Sequence, residues 1–279
     1  MRRFFSIPLI LLLASCAPTY HYSWQRHVVD AHRTGVRPAA ADNVAETMGV
    51  VRDGVYTAPN GRVFTCGSTP AVAYDMIDAQ PSMSKLKTVV GHCAEDMKSR
   101  SPQSALSNWA VDEVMRRTEE LTGRKVDMAL LNFFGIRSSF SKGEILRDDV
   151  DSMFPFKNYL CYVRVPGKNL KAIFEHFARY RMEVVGGVKV VVRNHKLESL
   201  EIGGEPIDEN RYYGVATIDF LLDGGDSLYV AKDAKELIKT DEKLGVTIMN
   251  YVIRTEAAEE LVSYRLDDRV TIINEEEDR

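Results

Sequence analysis

The sequence predicts an α+β fold, with mixed β-sheets and helices flanking them. Three observations carry that expectation. Strand-like and helix-like runs alternate from about residue 100 to residue 273. Hairpin signals interrupt the alternation, so the sheets cannot be purely parallel. No internal repeat at a fixed period is present. The chain has 279 residues, 45% of them hydrophobic, enough for a substantial core.

The first element is not fold. In MRRFFSIPLILLLASCAP, Arg2 and Arg3 form a positive start and Phe4 to Leu13 a short apolar run. This is the pattern of a secretory signal, too short to cross a bilayer comfortably as a helix. Its end, Leu13-Ala14-Ser15-Cys16, resembles a bacterial lipobox, in which the Cys16 thiol is acylated. The expectation is a signal over 1–16 and a chain held to a membrane of the bacterial envelope by acyl groups. Residues 17–90 read as a tether and an arm. The arm has a short helix near 42–48 and a hairpin over 54–66, turning at Pro59-Asn60-Gly61. A helical pattern follows from 68. Lys85 to Val90 is strand-like and leads to Gly91.

From Ser101-Pro102 the signals sharpen. Ser as N-cap and Pro at the first helical position predict a helix start there. Leu106, Trp109, Ala110, Val114 and Met115 follow at helical spacing, and Gly123 ends the run. VDMALLN (126–132) reads as a buried strand, and a loop with Gly135 and Arg137 follows. YLCYVRV (159–165) reads as the next strand. A helix starts after Gly167, its apolar face made by Leu170, Ile173, Phe174 and Phe177. The strands GVKVVVR (187–193), KLESLEI (196–202) and RYYGVAT (211–217) follow, the first two joined at Asn194-His195. After a corner at Gly224-Gly225, where both glycines permit φ > 0, a last helix near 244–254 precedes the strand RVTII (269–273). The compact region is expected over 91–275, with a solvated acidic end at 276–279.

Composition excludes several functions. The formal net charge is −4, or −6 once Arg2 and Arg3 leave with the signal, which is no nucleic-acid footprint. Beyond Cys16 the cysteines are Cys66, Cys93 and Cys161. An odd number leaves at least one free, and a Cys66–Cys93 bridge stays open. Asp30-Ala31-His32 has the look of a pair of metal ligands. A dinuclear site needs further His, Asp and Asn from other loops. The six histidines form no such set, so no metal is assigned to this chain. There is no P-loop, GxSxG, HExxH or GxGxxG.

The chain does carry loop residues suited to a flat ring and an anion. Arg137 offers a bidentate, non-titrating phosphate contact. Phe156 and Asn158 stand in FPFKN, ahead of a strand. Phe220 and Asp226 stand in DFLLDGGDS. Singly, each has an ordinary reading: core Phe, loop Asn, turn Asp, surface Arg. Together they suit a nucleotide. Phe rings would stack on a base at about 1–3 kcal/mol, Asn would read its edge, Asp would accept ribose hydroxyls and Arg would take the phosphate.

Five segments in order resemble the C-terminal domain of the 5'-nucleotidase family. They are SALSNWAVDEVM (104–115), VDMALLNFFGIR (126–137), KGEILRDDVDSMFPFKN (142–158), VRVPGKNLKAIFE (163–175) and YYGVATIDFLLDGGDSLY (212–229). The resemblance implies a layered α/β sandwich that binds the base and ribose of a nucleotide and helps orient its phosphate. It implies Phe156 and Phe220 as a base clamp, Asn158 at the base edge, Asp226 on the ribose, and Asn132 and Arg137 at the phosphate. Arg100 falls at about the place of a further phosphate-binding arginine.

Four positions depart from the family pattern. Phe133 and Phe134 stand where the family has glycines, Lys157 replaces a Gly, and Ser227 replaces the Gly after Asp226. The metallophosphoesterase part that precedes this domain in full 5'-nucleotidases finds no counterpart ahead of residue 90. The expectation is a nucleotide-binding chain that orients a nucleoside 5'-monophosphate for a separate metallophosphoesterase subunit, which would hold the divalent metals. The alternative is a nucleoside- or nucleotide-binding lipoprotein, or a scaffold, with no catalytic partner.

Overall fold

The computed structural model describes residues 43–274. The signal, Cys16, Asp30-Ala31-His32 and the acidic end lie outside the described residues. The described chain opens with α1 (Val44–Met48) and a small antiparallel sheet of β1 (Val50–Arg52), β2 (Val55–Thr57) and β3 (Val63–Phe64). The hairpin expected around Asn60-Gly61 joins β2 to β3. Helix α2 (Thr69–Asp78) packs on β1 and β2. Next come α3 (Gln80–Met83) and a 3₁₀ turn, Ser84–Lys87, before β4 (Val89–Cys93). The strand expected from Lys85 thus starts four residues later, because Lys85 to Lys87 close the turn.

The long helix α4 (Ala105–Thr122) starts at Ser104, not at Ser101. Ser104 Oγ accepts the Ser107 N–H at 3.2 Å and Ser107 Oγ accepts the Ser104 N–H at 3.0 Å. This reciprocal box satisfies two donors that the first turn leaves without partners. Gly123, at φ 63°, closes the other end as expected.

The remaining elements are β5 (Met128–Leu131), β6 (Gly143–Leu146), α5 (Arg147–Met153), β7 (Tyr159–Pro166), α6 (Gly167–Arg179), β8 (Val184–Gly186), β9 (Val188–Arg193), β10 (Lys196–Ile202), β11 (Glu205–Pro206), β12 (Tyr212–Ile218), β13 (Glu236–Lys243), α7 (Leu244–Ala257) and β14 (Val270–Ile273). They build a five-stranded sheet, β13-β7-β12-β5-β8, and a four-stranded sheet, β11-β10-β9-β14. A β4–β6 pair stands beside them. Parallel pairing joins β12 to β5 and β14 to β9, and the other pairs are antiparallel. The sheets are therefore mixed, as the sequence predicts.

Helix α6 packs against β7 and β10, one strand from each large sheet. Its buried face is Leu170, Phe174 and Phe177, with Ile173 half-buried. Helix α4 packs on β5, β7, β8 and β12, and α7 packs on α4 and β4. All four residues of β5 are buried, since β5 has a strand on each side and α4 over it. Such a strand reads as a continuous apolar run.

Register places many turns at one end of the five-stranded sheet. Strands β5 and β12 run parallel, so both leave the sheet there. Strand β7 is antiparallel to β12, with Leu160 opposite Ile218, so it starts there. Strand β8 is antiparallel to β5, with Val184 opposite Leu131, so it also starts there. Strand β13 leaves at the same end, with Lys243 opposite Tyr159.

Candidate functional site

The sheet end gathers the segments before β7 and β8 and after β5 and β12. Asn132 follows β5 and caps a 3₁₀ turn, Phe133–Gly135. Its side chain is buried, and Nδ2 donates to Asp226 Oδ2 at 2.6 Å. Asn132 Oδ1 is buried and has no hydrogen-bond partner among the described residues. A Cβ on Gly135 would fall 2.6 Å from that oxygen. Only glycine lets the amide fold beneath the turn.

The second turn follows β12. Phe220 sits just past the end of β12, in a 3₁₀ turn, Asp219–Leu221. Asp219 fixes this turn: Oδ1 accepts the Tyr159 N–H at 3.1 Å, and Oδ2 lies 2.8 Å from Lys239 Nζ. Of the two expected corner glycines, only Gly224 takes a positive φ, 101°. Gly225 serves close approach instead, since a Cβ there would lie 1.9 Å from the Phe220 carbonyl oxygen. The left-handed corner is taken up by Asp226 and Ser227, at φ 49° and 63°. Asp226 is an exposed carboxylate tied across the sheet end to Asn132.

Before β7, Phe156 is 49% exposed and Phe220 is 46% exposed. Among the described residues neither ring stacks on another ring. Single exposed apolar rings are ordinary, whereas several gathered on one surface mark a contact site. The Arg137 guanidinium lies 6.0 Å from the centre of the Phe156 ring, within cation–π range. Asn158 is half-buried, and its carbonyl accepts the Leu244 N–H at 2.9 Å, which ties it to the start of α7. Arg100 is exposed ahead of α4. Its neighbour Ser101 donates to the Met182 carbonyl at 3.3 Å, so Arg100 borders the segment before β8.

That segment holds two residues that sequence reading does not single out. Glu183 Oε2 accepts the Phe133 N–H at 2.7 Å. Burial pushes the Glu183 carboxyl above its ordinary range, against the Phe133 bond and Arg181, which pull it down, while Asp226 pushes it up. The Arg181 guanidinium lies 4.8 Å from the centre of the Phe134 ring and 5.7 Å from that of Phe133. Phe133 is buried and Phe134 is 61% exposed. The only signal in sequence is the pair of Phe in place of glycine.

Elsewhere, Cys66, Cys93 and Cys161 are free thiols, so the open Cys66–Cys93 pairing is not made. Burial pushes the Cys161 thiol up to about 12, leaving it a small hydrophobe. Among the described residues no three His, Cys, Asp or Glu side chains gather as a metal set. At the sheet end Asp226 is bonded to Asn132 and Glu183 to a backbone N–H, and these two carboxylates do not make a divalent-metal cage.

An open mixed sheet with a ligand-like cluster beyond the ends of two parallel strands defines a class of binding domain. More particularly, the chain belongs to the family described as 5'-nucleotidase, C-terminal domain, which matches residues 89–233. It is 30% identical to an apyrase of Tabanus yao over 148 residues, covering 45% of this chain and 27% of that protein. It is 31% identical to the UshA protein of Escherichia coli over 105 residues, covering 36% of this chain and 19% of that one. A solved 5'-nucleotidase precursor from Thermus thermophilus shares the fold, with a TM-score of 0.64 and 24% identity over 79% of this chain and 46% of that one. The chain thus spans less than half the length of these relatives.

Proposed function

We propose that this chain binds a nucleoside or nucleoside 5'-monophosphate at the end of the five-stranded sheet. In this reading it orients the monophosphate for hydrolysis by a separate metallophosphoesterase subunit. One observation supports the reading most: two unstacked, half-exposed Phe rings share the sheet end with a carboxylate held in place by Asn132. Phe156 and Phe220 would stack on the base, with Asn158 at its edge. Asp226 would accept ribose hydroxyls. Arg137 and Arg100 would meet the phosphate, whose oxygens suit a planar guanidinium.

This chain's contribution to hydrolysis would be positioning. Holding the phosphate in one orientation converts part of the reaction's entropy cost into binding. The metals and the attacking water would belong to the partner. Acylation of Cys16 would hold the chain at a membrane of the bacterial envelope, concentrating it there with such a partner.

Calorimetric titration of the detergent-solubilised full chain with adenosine and AMP tests the binding. Saturable binding that Phe220→Ala weakens is expected. Absence of binding to either ligand overturns the reading. Co-purification with a metallophosphoesterase is expected for the catalytic part. Hydrolysis of AMP by this chain alone, with metal held by its own residues, sinks the two-chain proposal.

A further inference from the structure

We propose that Arg181 is a third anion-contacting residue of the sheet-end site, beside Arg137 and Arg100, and that it helps select phosphorylated over unphosphorylated nucleosides. The inference rests on the nucleotide reading above and deepens it. It starts from the two residues that replace glycine, Phe133 and Phe134.

The Phe133 N–H is taken by Glu183. A backbone N–H at a turn after a strand is a natural anion donor, and here it is spent on a carboxylate within the chain. Arg181 is brought to the same turn. Its guanidinium lies over both rings, so the rings form a platform that limits its orientations. Among the described residues it donates no hydrogen bond. The nearest carboxylate oxygen, Glu183 Oε1, is 3.7 Å away, beyond hydrogen-bond length. Its side chain is 44% exposed. Arg181 is therefore a positioned cation whose planar fork of donors is unused.

Its location fits a phosphate contact. Glu183 joins Arg181 to the Phe133 turn, and that turn joins directly to Asn132 and, through it, to Asp226. On the other side of the sheet end, Arg137 lies over Phe156 in the same manner. Two exposed Phe rings thus each carry an arginine with open donors. Glu183 holds Arg181 only loosely, at 3.7 Å, and leaves the guanidinium open to solvent. An entering phosphate would replace a loose ion pair with charge-assisted, bidentate bonds. A nucleoside without phosphate would gain nothing from Arg181.

The test titrates the full chain and its Arg181→Ala, Arg181→Lys and Phe134→Gly variants with AMP and adenosine at low and high salt. Arg181→Ala is expected to weaken AMP by roughly ten-fold or more, the worth of one charge-assisted contact, while adenosine binds as before. Unchanged adenosine binding also shows that the variant is folded. Arg181→Lys should recover part of the loss, since it keeps the charge without the fork. Phe134→Gly should weaken AMP less than Arg181→Ala. The salt dependence of AMP binding should flatten in Arg181→Ala, a readout that a purely structural arginine would not move. Equal losses for AMP and adenosine, or AMP binding untouched by Arg181→Ala, overturn the role of Arg181 and leave the nucleotide reading standing. Failure of the unsubstituted chain to bind either ligand overturns both.

Discussion

Two polar clusters at the edges of the main sheets are built on opposite terms. Around Arg269 every charge is answered. This side chain is 6% exposed and donates to both oxygens of Asp112, to both of Asp267, to the Tyr264 hydroxyl and to the Val185 carbonyl. Burial works against its charge, but the bonds to Asp112 and Asp267 more than reverse this and raise its pKa above the usual arginine range. At the sheet end the groups are under-used. Among the described residues Asn132 Oδ1 lacks a partner and Arg181 donates no hydrogen bond, while Phe134, Phe156 and Phe220 face solvent. Unsatisfied buried polar atoms are few in folded proteins. The contrast fits a scaffold role for the first cluster and the ligand-binding role proposed for the second.

Substitutions can pull the two clusters apart. Arg269→Ala strips a buried fork from partners on α4 and on the chain after α7, and should cost about 3 kcal/mol of stability by denaturant unfolding. Nucleotide affinity of the folded protein should hold. If the stability loss is negligible, the cluster is not the clasp it looks like. Gly225→Ala should show the opposite balance. Its Cβ would meet the Phe220 carbonyl at 1.9 Å, so the turn must shift and carry Phe220 and Asp226 with it. Loss of AMP binding should exceed roughly ten-fold, with a stability cost of about 1–2 kcal/mol. An Ala variant that binds normally would mean that the turn does not position the ligand.

Legibility follows the same division. The face of α6, the buried run of β5 and the end of α4 at Gly123 can be read because period and helix stops are local signals. Strand β13 cannot. Its sequence, ELIKTDEK, alternates weakly in burial along a sheet edge, and only pairing with β7 makes it a strand. The start of α4 expected at Ser101-Pro102 is wrong by three residues, because the cap that forms is the Ser104–Ser107 box, whose reciprocal bonds no single cap residue announces. At the sheet end, Phe156, Asn158, Phe220 and Asp226 can be named from motif order. That Asn132 reaches Asp226, 94 residues away in sequence, depends on the parallel pairing of β5 with β12. Arg181 and Glu183 are invisible in sequence because their meaning lies in Phe133, across the β5–β8 pair.

Phe220→Ala probes the same division at smaller scale. The ring is half exposed, so its removal should cost less than about 1 kcal/mol of stability. The loss of base stacking should cost about 1–3 kcal/mol of nucleotide affinity. A stability loss larger than the affinity loss would make Phe220 a core residue after all.

A pH dependence should be weaker still. Burial raises the folded pKa of Glu183 above its unfolded value, so the folded chain binds more protons than the unfolded chain between the two. Stability then falls as pH rises from the ordinary carboxylate pKa, about 4.3, through the raised value, and stays lower above it. Glu183→Gln retains an oxygen for the Phe133 N–H and removes the titration. Its unfolding free energy should lack that step and stand slightly above that of the unsubstituted chain at neutral pH. The Arg269 cluster supplies the reference. Asp267 resists burial through its bonds to Arg269 and titrates below the usual range, so it contributes stability that is present at neutral pH and lost as pH falls through its depressed folded pKa. Unfolding curves that show the acid-side loss from Asp267 but no difference between the unsubstituted chain and Glu183→Gln would mean that the Glu183 carboxyl is better solvated than its place beneath Phe133 implies.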